Sequence, residues 1–462
     1  MNNYRSYNPF KTILFGILFL TISFILFATT RDQLGDMNND GEVNILDIVR
    51  IVNIILEVDP PPTDYELWAS DVNLDNSIDV ADIVIIVTII MQTYECPNLY
   101  SPCSDNLSIC CPDTTGNNIV WDIQIFGAPS GNINSLWDAH ILSDDDIWVV
   151  GEIRNFDGDS LHNYIRWDGN EWTQGIMNEE NNPSPYPHIL TSIYGFSQND
   201  LWMTVSLPAY FNGDYWYLYL GVDGYPLSLG EIRNTWGSSS TSMYFSEYSG
   251  DIIHWNGEGF TIMETTTGSG SQYDPPYPIW DMYGLDDDHI WTISGHIDLV
   301  NPDHPRKLSF YNGIDWVDLY TITTAIQEDD ELGGYIYNVW AYGDTVYVSA
   351  ALNGLWRESI STGEGSYFPL DSLSSINAGW SRGKGLLGNN SHDIFTVSQI
   401  AKYAHYNGSS WYFGNEVYDY FISTEYYHLC SGMAVKDNTI ILYGNLNLGG
   451  YTWIAKGTRV ED

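Results

Sequence analysis

A six-residue pattern recurs five times between residues 167 and 411: an aromatic, Asp or Asn, Gly, two variable residues, and a second aromatic. The copies are Trp167-Asp168-Gly169-Asn170-Glu171-Trp172, Phe211-Asn212-Gly213-Asp214-Tyr215-Trp216, Trp255-Asn256-Gly257-Glu258-Gly259-Phe260, Tyr311-Asn312-Gly313-Ile314-Asp315-Trp316 and Tyr406-Asn407-Gly408-Ser409-Ser410-Trp411. Their first residues are spaced by 44, 44, 56 and 95 positions, so the last interval is about two repeats and holds one divergent copy. Asx-Gly between aromatics predicts a hairpin with a tight primed turn. An acidic-aliphatic-aromatic element precedes most copies, at Asp146-Ile-Trp148, Asp200-Leu-Trp202, Asp288-His-Ile-Trp291, Asp344-Thr-Val-Tyr347 and Asp393-Ile-Phe395. Before that comes an aromatic beside a small residue, as in Leu136-Trp137, Tyr194-Gly195, Trp236-Gly237, Trp280-Asp281 and Trp340-Ala341.

Each unit thus reads as three or four short strands, which cannot bury both faces alone but can when packed radially. Seven units begin near Trp137, Tyr194, Trp236, Trp280, Trp340, Gly379 and Gly432. The last ends before any hairpin of its own. Residues 119–126, Ile119-Val-Trp121-Asp-Ile-Gln-Ile-Phe126, stand upstream without a partner. They are expected to complete the last unit and remove an open sheet edge. The stretch 117–462 resembles the bacterial β-propellers with Trp-Gly, Asp-Ile-Trp and Trp-Asp-Gly-x-x-Trp repeats, which implies an all-β propeller of seven blades. A repeat of this kind speaks for architecture and little for function.

The N-terminal part carries a different duplication. Asp36-Met-Asn38-Asn-Asp40-Gly41-Glu42-Val-Asn44-Ile-Leu-Asp47 and Asp71-Val-Asn73-Leu-Asp75-Asn76-Ser77-Ile-Asp79-Val-Ala-Asp82 place side-chain oxygens at positions 1, 3, 5, 9 and 12. That is the ligand spacing of a calcium loop. Position 7 (Glu42, Ser77) offers its carbonyl, and position 6 (Gly41, Asn76) tolerates positive φ. Each loop leads into an apolar segment, residues 48–56 and 83–91, expected to form about two turns of helix and to pack on its copy. The closing ligand is Asp rather than Glu, and no helix is evident before the loops. In these respects residues 34–92 resemble a type I dockerin, the calcium-dependent module that plugs into cohesin domains. The resemblance implies a small α-helical domain with tandem EF-hand-like loops and two Ca²⁺ sites. Its ligands would be Asp36, Asn38, Asp40, Glu42, Asn44, Asp47, Asp71, Asn73, Asp75, Ser77, Asp79 and Asp82. At loop positions 10 and 11, where dockerins often carry a hydroxyl pair for cohesin, this chain has Ile45-Leu46 and Val80-Ala81. These apolar residues face a cohesin-like protein, a different partner, or the chain's own larger domain.

The 462 residues carry a formal charge of −44, a surface that repels nucleic-acid phosphates and anionic lipid. With 18 Trp and 34 Tyr, the chain is not a disordered acidic protein. Residues 1–30 read as a polar, weakly basic start followed by an apolar run over 13–28. They form an export signal or an N-terminal membrane anchor, so the chain is expected to be secreted or held in the cell envelope. The dockerin-like domain is assigned to residues 34–94. A linker over 95–116 holds Cys96, Cys103, Cys110 and Cys111, expected to form one or two disulfides in an exported protein. The fifth cysteine, Cys430, either joins the linker or stays as a buried thiol.

For chemistry, there is no Gly-x-Ser-x-Gly elbow, no His-Glu-x-x-His and no phosphate loop. Sialidase Asp-boxes are matched only at their end, by Asn407-Gly408-Ser409-Ser410-Trp411. No catalytic residue is assigned. The acidic runs at 144–146, 286–288 and 328–330 read as turns, and His254 and His405 as products of the repeat rather than a metal pair. The sequence therefore favours a non-catalytic, calcium-binding protein whose propeller recognises a protein or glycan. The alternative is a carbohydrate-active propeller, a glycoside hydrolase or polysaccharide lyase, acting in polysaccharide catabolism.

Overall fold

A computed structural model describes residues 35–38, 43–56, 58, 61–72, 77–90, 116–127, 134–154, 161–177, 188–219, 232–247, 250–263, 278–295, 305–323, 332, 335–351, 354–368, 384–408, 410–424, 426–446 and 450–460. The chain divides into two compact units, Met1–Asp113 and Thr114–Asp462. The apolar run at 13–28 and the four linker cysteines lie outside the described residues. Among those described, no helix is long and apolar enough to cross a membrane.

Among the described residues the first unit holds three helices, α1 (Ile45–Ile55), α2 (Asp64–Ser70) and α3 (Val80–Ile90). α1 and α3 are each 11 residues, about three turns, and start three positions earlier than the apolar segments suggested. The reason for α1 is local. Asn44 caps it, accepting the Leu46 N–H, and Asp47 returns a hydrogen bond to the Asn44 backbone. The first turn therefore begins inside the twelve-residue loop. α2 is absent from the sequence reading. Thr63 and Glu66 form a reciprocal capping box that starts it just after Pro60-Pro61-Pro62. The core of this unit is Met37, Ile51, Ala69, Val72 and Ile86. Met37 and Val72, like Ile51 and Ile86, are equivalent positions of the two repeats.

The second unit is a ring of seven four-stranded antiparallel sheets. In six of them the strands follow in chain order; the blades span residues 135–175, 192–218, 232–263, 279–322, 335–367 and 386–414. In the seventh, residues 428–459 supply three strands and Ile119–Phe126 the fourth, paired from Ile119↔Arg459 to Phe126↔Thr452. The innermost strands touch in succession around the ring, the seventh against the first. The expected closure by the chain's own beginning and end is what the sheets display. It is fastened to blade 6 as well, where Asp393 accepts from Arg459 (2.7 Å) and His405 (2.8 Å), and His405 also meets Asn117 (2.9 Å).

The recurring hexapeptide is a type II′-like hairpin turn. In all five copies the Gly sits at positive φ, between 84° and 100°, at the first central position. The preceding Asp or Asn side chain accepts the N–H groups that follow it, as Asn312 does from Ile314 (3.0 Å) and Asp315 (2.9 Å). Each Gly also lies under a turn residue of the blade's first hairpin: Asp145, Asn199, Thr241, Asp288 or His392. The divergent copy falls in blade 5, where Gly363 takes positive φ in a longer turn between Ser359 and Gly365.

One alignment is corrected. Tyr194, Trp236 and Trp340 share a register, each facing the aromatic of the second strand. The residues at that register in blades 1 and 4 are His140 and Tyr283, not Trp137 and Trp280. A β-bulge at Leu136/Asp138 and at Ile279/Asp281 shifts the strand, and the two tryptophans fall inside it. Of the predicted unit starts, Gly379 lies outside the described residues. The structure adds α4 (Glu416–Ser423), unread in the sequence, whose Val417 and Phe421 enter the core beside Trp453. Cys430 belongs to the same cluster as a free, buried thiol.

The turn geometry yields a stability prediction. Gly313→Ala places a Cβ at φ +84° against the Asp288 carboxylate. It should lower stability by about 1–3 kcal/mol in thermal or urea unfolding. Gly259→Ala, in the turn of blade 3 with nothing within 4 Å, should stay within about 0.5 kcal/mol of wild type.

Candidate functional site

Two sets of chemistry-bearing residues come together, one in each unit. In the first, the closing carboxylates of the duplicated loops repeat one geometry. Asp47 accepts the Met37 N–H (2.8 Å) on Oδ1 and the Asn44 N–H (2.8 Å) on Oδ2. Asp82 accepts the Val72 N–H (2.8 Å) and the Asp79 N–H (2.9 Å) in the same way. Position 12 thus folds its loop back onto positions 2 and 9. Asp36, Asp47 and Asp82 are fully buried.

α2 carries this arrangement from one loop to the other. Tyr65 donates to the Asp36 carbonyl (2.9 Å), Gly35 donates to the Ala69 carbonyl (2.8 Å), and α2 then runs directly into Asp71. Arg50 of α1 pairs with Glu66 of α2. That hydrogen bond, aided by the Thr63 backbone and hydroxyl, outweighs burial and holds the Glu66 carboxyl down at about 2.

Of the predicted ligands, Asp36, Asn38, Asn44, Asp47, Asp71, Ser77, Asp79 and Asp82 are described; Asp40, Glu42, Asn73 and Asp75 are not. Among the described residues no group of three or more His, Cys, Asp or Glu forms a metal cluster by itself. The donor set nevertheless fits a hard cation. It is all oxygen, it buries carboxylates that are costly to withdraw from water uncompensated, and each pinned oxygen keeps a second lone pair.

In the propeller, Asp138 and Asp281 occupy the position after the bulge in blades 1 and 4. Both are tied to the next blade. Asp138 accepts from Ser192 Oγ (2.8 Å) and the Ile193 N–H (3.0 Å); Asp281 accepts from the Val339 N–H (3.0 Å) and Asn338 Nδ2 (3.3 Å). Burial pushes the Asp281 carboxyl up to about 7, against the pull of those hydrogen bonds and of Lys384. Sequence reading missed both, since what selects them is a bulge and a neighbouring blade. The acidic runs behave as turns: Asp146 pairs with Arg166 (2.8 Å), and Asp287 accepts Ser238, Ser242 and Tyr244 hydroxyls. Residues 328–330 lie outside the described set. His254 and His405 stack on Tyr244 (4.3 Å) and Phe395 (4.2 Å) at one register of their blades, where Arg166, Tyr210 and Phe310 stand in others.

Residues 34–91 match the dockerin type I domain. Such domains are calcium-binding, cohesin-binding protein modules and are typically extracellular. Comparison with curated proteins gives no match. Among solved structures, YCF48 bound to D1 peptide is similar over 76% of this chain and 100% of its own, at 11% identity and a TM-score of 0.51. YCF48 from Cyanidioschyzon merolae covers 72% and 98% at 11% identity (TM-score 0.47). The WD40 β-propeller domain of Doa1 covers 74% and 98% at 10% identity (TM-score 0.45). The first of these likenesses shows the propeller fold and nothing further.

The Arg50–Glu66 pair generates a pH prediction. Because the folded Glu66 value is depressed from 4.5 to about 2, its contribution is complete above about pH 4.5 and fades as pH falls towards 2. Glu66→Gln should cost about 1 kcal/mol at neutral pH. The difference from wild type should close by about pH 2, read from urea unfolding followed on amide signals of α2.

Proposed function

We propose that this chain is an exported, non-catalytic binding protein, with a calcium-organised docking module at residues 34–94 and a propeller at 117–462 as a recognition domain for protein or glycan. The observation that carries the reading is the closing geometry of Asp47 and Asp82, identical at two loops 35 positions apart. The ions would be held by Asp36, Asn38, Asp40, the Glu42 carbonyl, Asn44 and Asp47, and by Asp71, Asn73, Asp75, the Ser77 carbonyl, Asp79 and Asp82. Bound calcium would neutralise the buried carboxylates and order short helices that have little core of their own.

The docking face follows from the same repeat. Ile45 and Val80 are 62% and 65% exposed, and Val49 and Val84 are 55% each. Leu46 joins them at 61%. These residues stand on the first turns of α1 and α3. A monomer gains nothing from such exposure, and a dockerin presents this region to a protein partner, so the occupant proposed is a cohesin-like domain with an apolar face. A polysaccharide is the corresponding candidate on the propeller. Delivery outside the cytoplasm through residues 1–30, with 13–28 as an optional tether, agrees with the extracellular habit of dockerins.

The carbohydrate-active alternative would require a carboxylate pair free to act. Asp138 and Asp281, buried acids on innermost strands, spend their oxygens on holding neighbouring blades. This favours binding over hydrolysis.

The test uses the full chain and immobilised type I cohesins. Capture should require Ca²⁺ and should weaken at least tenfold in Ile45→Asp/Val80→Asp, with calcium uptake retained. Calcium-independent capture, or an unchanged double variant, would refute the docking face.

A further inference from the structure

The inner wall of the propeller is unlike the rest of the molecule. At one register of the seven innermost strands stand His140, Tyr194, Trp236, Tyr283, Trp340, Leu387 and Ala434. Blades 1 to 5 therefore supply an unbroken aromatic arc, and blades 6 and 7 leave a gap of smaller side chains. Lys384 and Lys436 come into that side at different depths, and the half-open cavity holds about 260 Å³. No Asp or Glu is among its lining residues. The chain has 60 acidic residues against 16 basic ones, of which six are lysines. Two of those six line one small cavity, with Asp138 behind the wall beside Lys384.

We propose that this axial cavity binds a small organic carboxylate of monosaccharide size, its carboxylate on Lys384, its ring against the aromatic arc, and Lys436 adding positive charge at the rim. Lys384 reaches Asp138 at 3.4 and 3.5 Å, longer than a charge-assisted bond prefers. The Asp138 oxygens are already taken at 2.8–3.0 Å by Ser192 Oγ and the Ala139 and Ile193 N–H groups. The ammonium keeps donors for a ligand. Lys436, exposed at the rim, is steadied by the Leu142 carbonyl (2.8 Å). His140 donates from Nε2 to the Gly195 carbonyl (2.9 Å). Burial, then the positive charge of Lys384, holds its ring well below the usual histidine range at about 3. It is thus neutral at physiological pH, and Nδ1 is left to accept from a ligand hydroxyl. The cavity volume is enough for one sugar ring.

This site extends the reading of the propeller as a recognition domain, and its failure would leave the calcium and cohesin measurements on the other unit untouched. The probes are glucuronate, glucose and acetate, titrated into the full chain by calorimetry. Glucuronate should bind, with glucose and acetate at least tenfold weaker, one lacking the charge and the other the ring. Lys384→Met should weaken glucuronate about tenfold and Lys436→Met, at the exposed rim, about twofold, with thermal melting as the fold control. Lys384→Arg should recover most of the affinity. Glucose binding as well as glucuronate would overturn the role of the lysines. Acetate binding as well would overturn the role of the arc. No glucuronate binding up to about 10 mM, or unchanged binding in a folded Lys384→Met, would overturn the site itself.

Discussion

The small unit depends on one interaction made twice: a buried aspartate at the end of each loop, holding the N–H groups of positions 2 and 9. A loop of this length has no core of its own. Its course is set by hydrogen bonds to that carboxylate and by whatever charge compensates the burial. Withdrawing Asp36, Asp47 and Asp82 from water is unfavourable unless a cation or enough donors answer them. The same aspartates sit in the first turns of α1 and α3, so loop and helix order together. If the loops close around calcium as proposed, the exposed apolar residues that begin those helices would be presented only in the closed state, and docking and ion binding would be one equilibrium rather than two.

The propeller solves a different problem. Seven sheets must each be short, must keep their outer edges short, and must pack face to face on their neighbours. The hexapeptide turn ends each hairpin with a Gly at positive φ and an Asx cap, so the outer strand returns in register. The aromatic of the second strand stacks on the third-strand residue opposite, as Trp202 on Tyr210 (4.9 Å) and Trp291 on Phe310 (4.9 Å). Between blades, Asp138 and Asp281 act as pins. Their carboxyls are retained inside the protein because N–H and hydroxyl donors of the next strand meet them. Closing the ring with Ile119–Phe126 couples the first strand of the unit to the last. It gives the seventh blade the fourth, outer strand that the C-terminal segment alone lacks.

Much of this was legible because it is local and repeated. The oxygen spacing of the loops, the Asx-Gly turns and the orphan strand at 119–126 are all visible without any knowledge of the third dimension. What was not legible falls into two kinds. α2 and α4 are short and were hidden by their surroundings: Thr63-x-x-Glu66 is a readable capping box, but three prolines before it suggested only a connector. The misaligned tryptophans, Trp137 and Trp280, fail for another reason. A bulge adds a residue without leaving a mark in composition, so counting from the aromatic lands on the wrong face. The pins and the axial lysines are invisible for the same cause, since Asp138 and Lys384 are 246 residues apart and meet only across the ring.

The central claim is that the duplicated loops are closed by Asp47 and Asp82 around calcium. Calorimetric titration of the full, calcium-stripped chain tests it most directly, with the amide signals of α1 and α3 followed in parallel. The account predicts two equivalents of Ca²⁺ per chain, ordering of both helices on uptake, and loss of one equivalent in Asp47→Ala or Asp82→Ala. A chain that takes up no calcium, or whose uptake is the same in the Asp47→Ala/Asp82→Ala double variant, would contradict it.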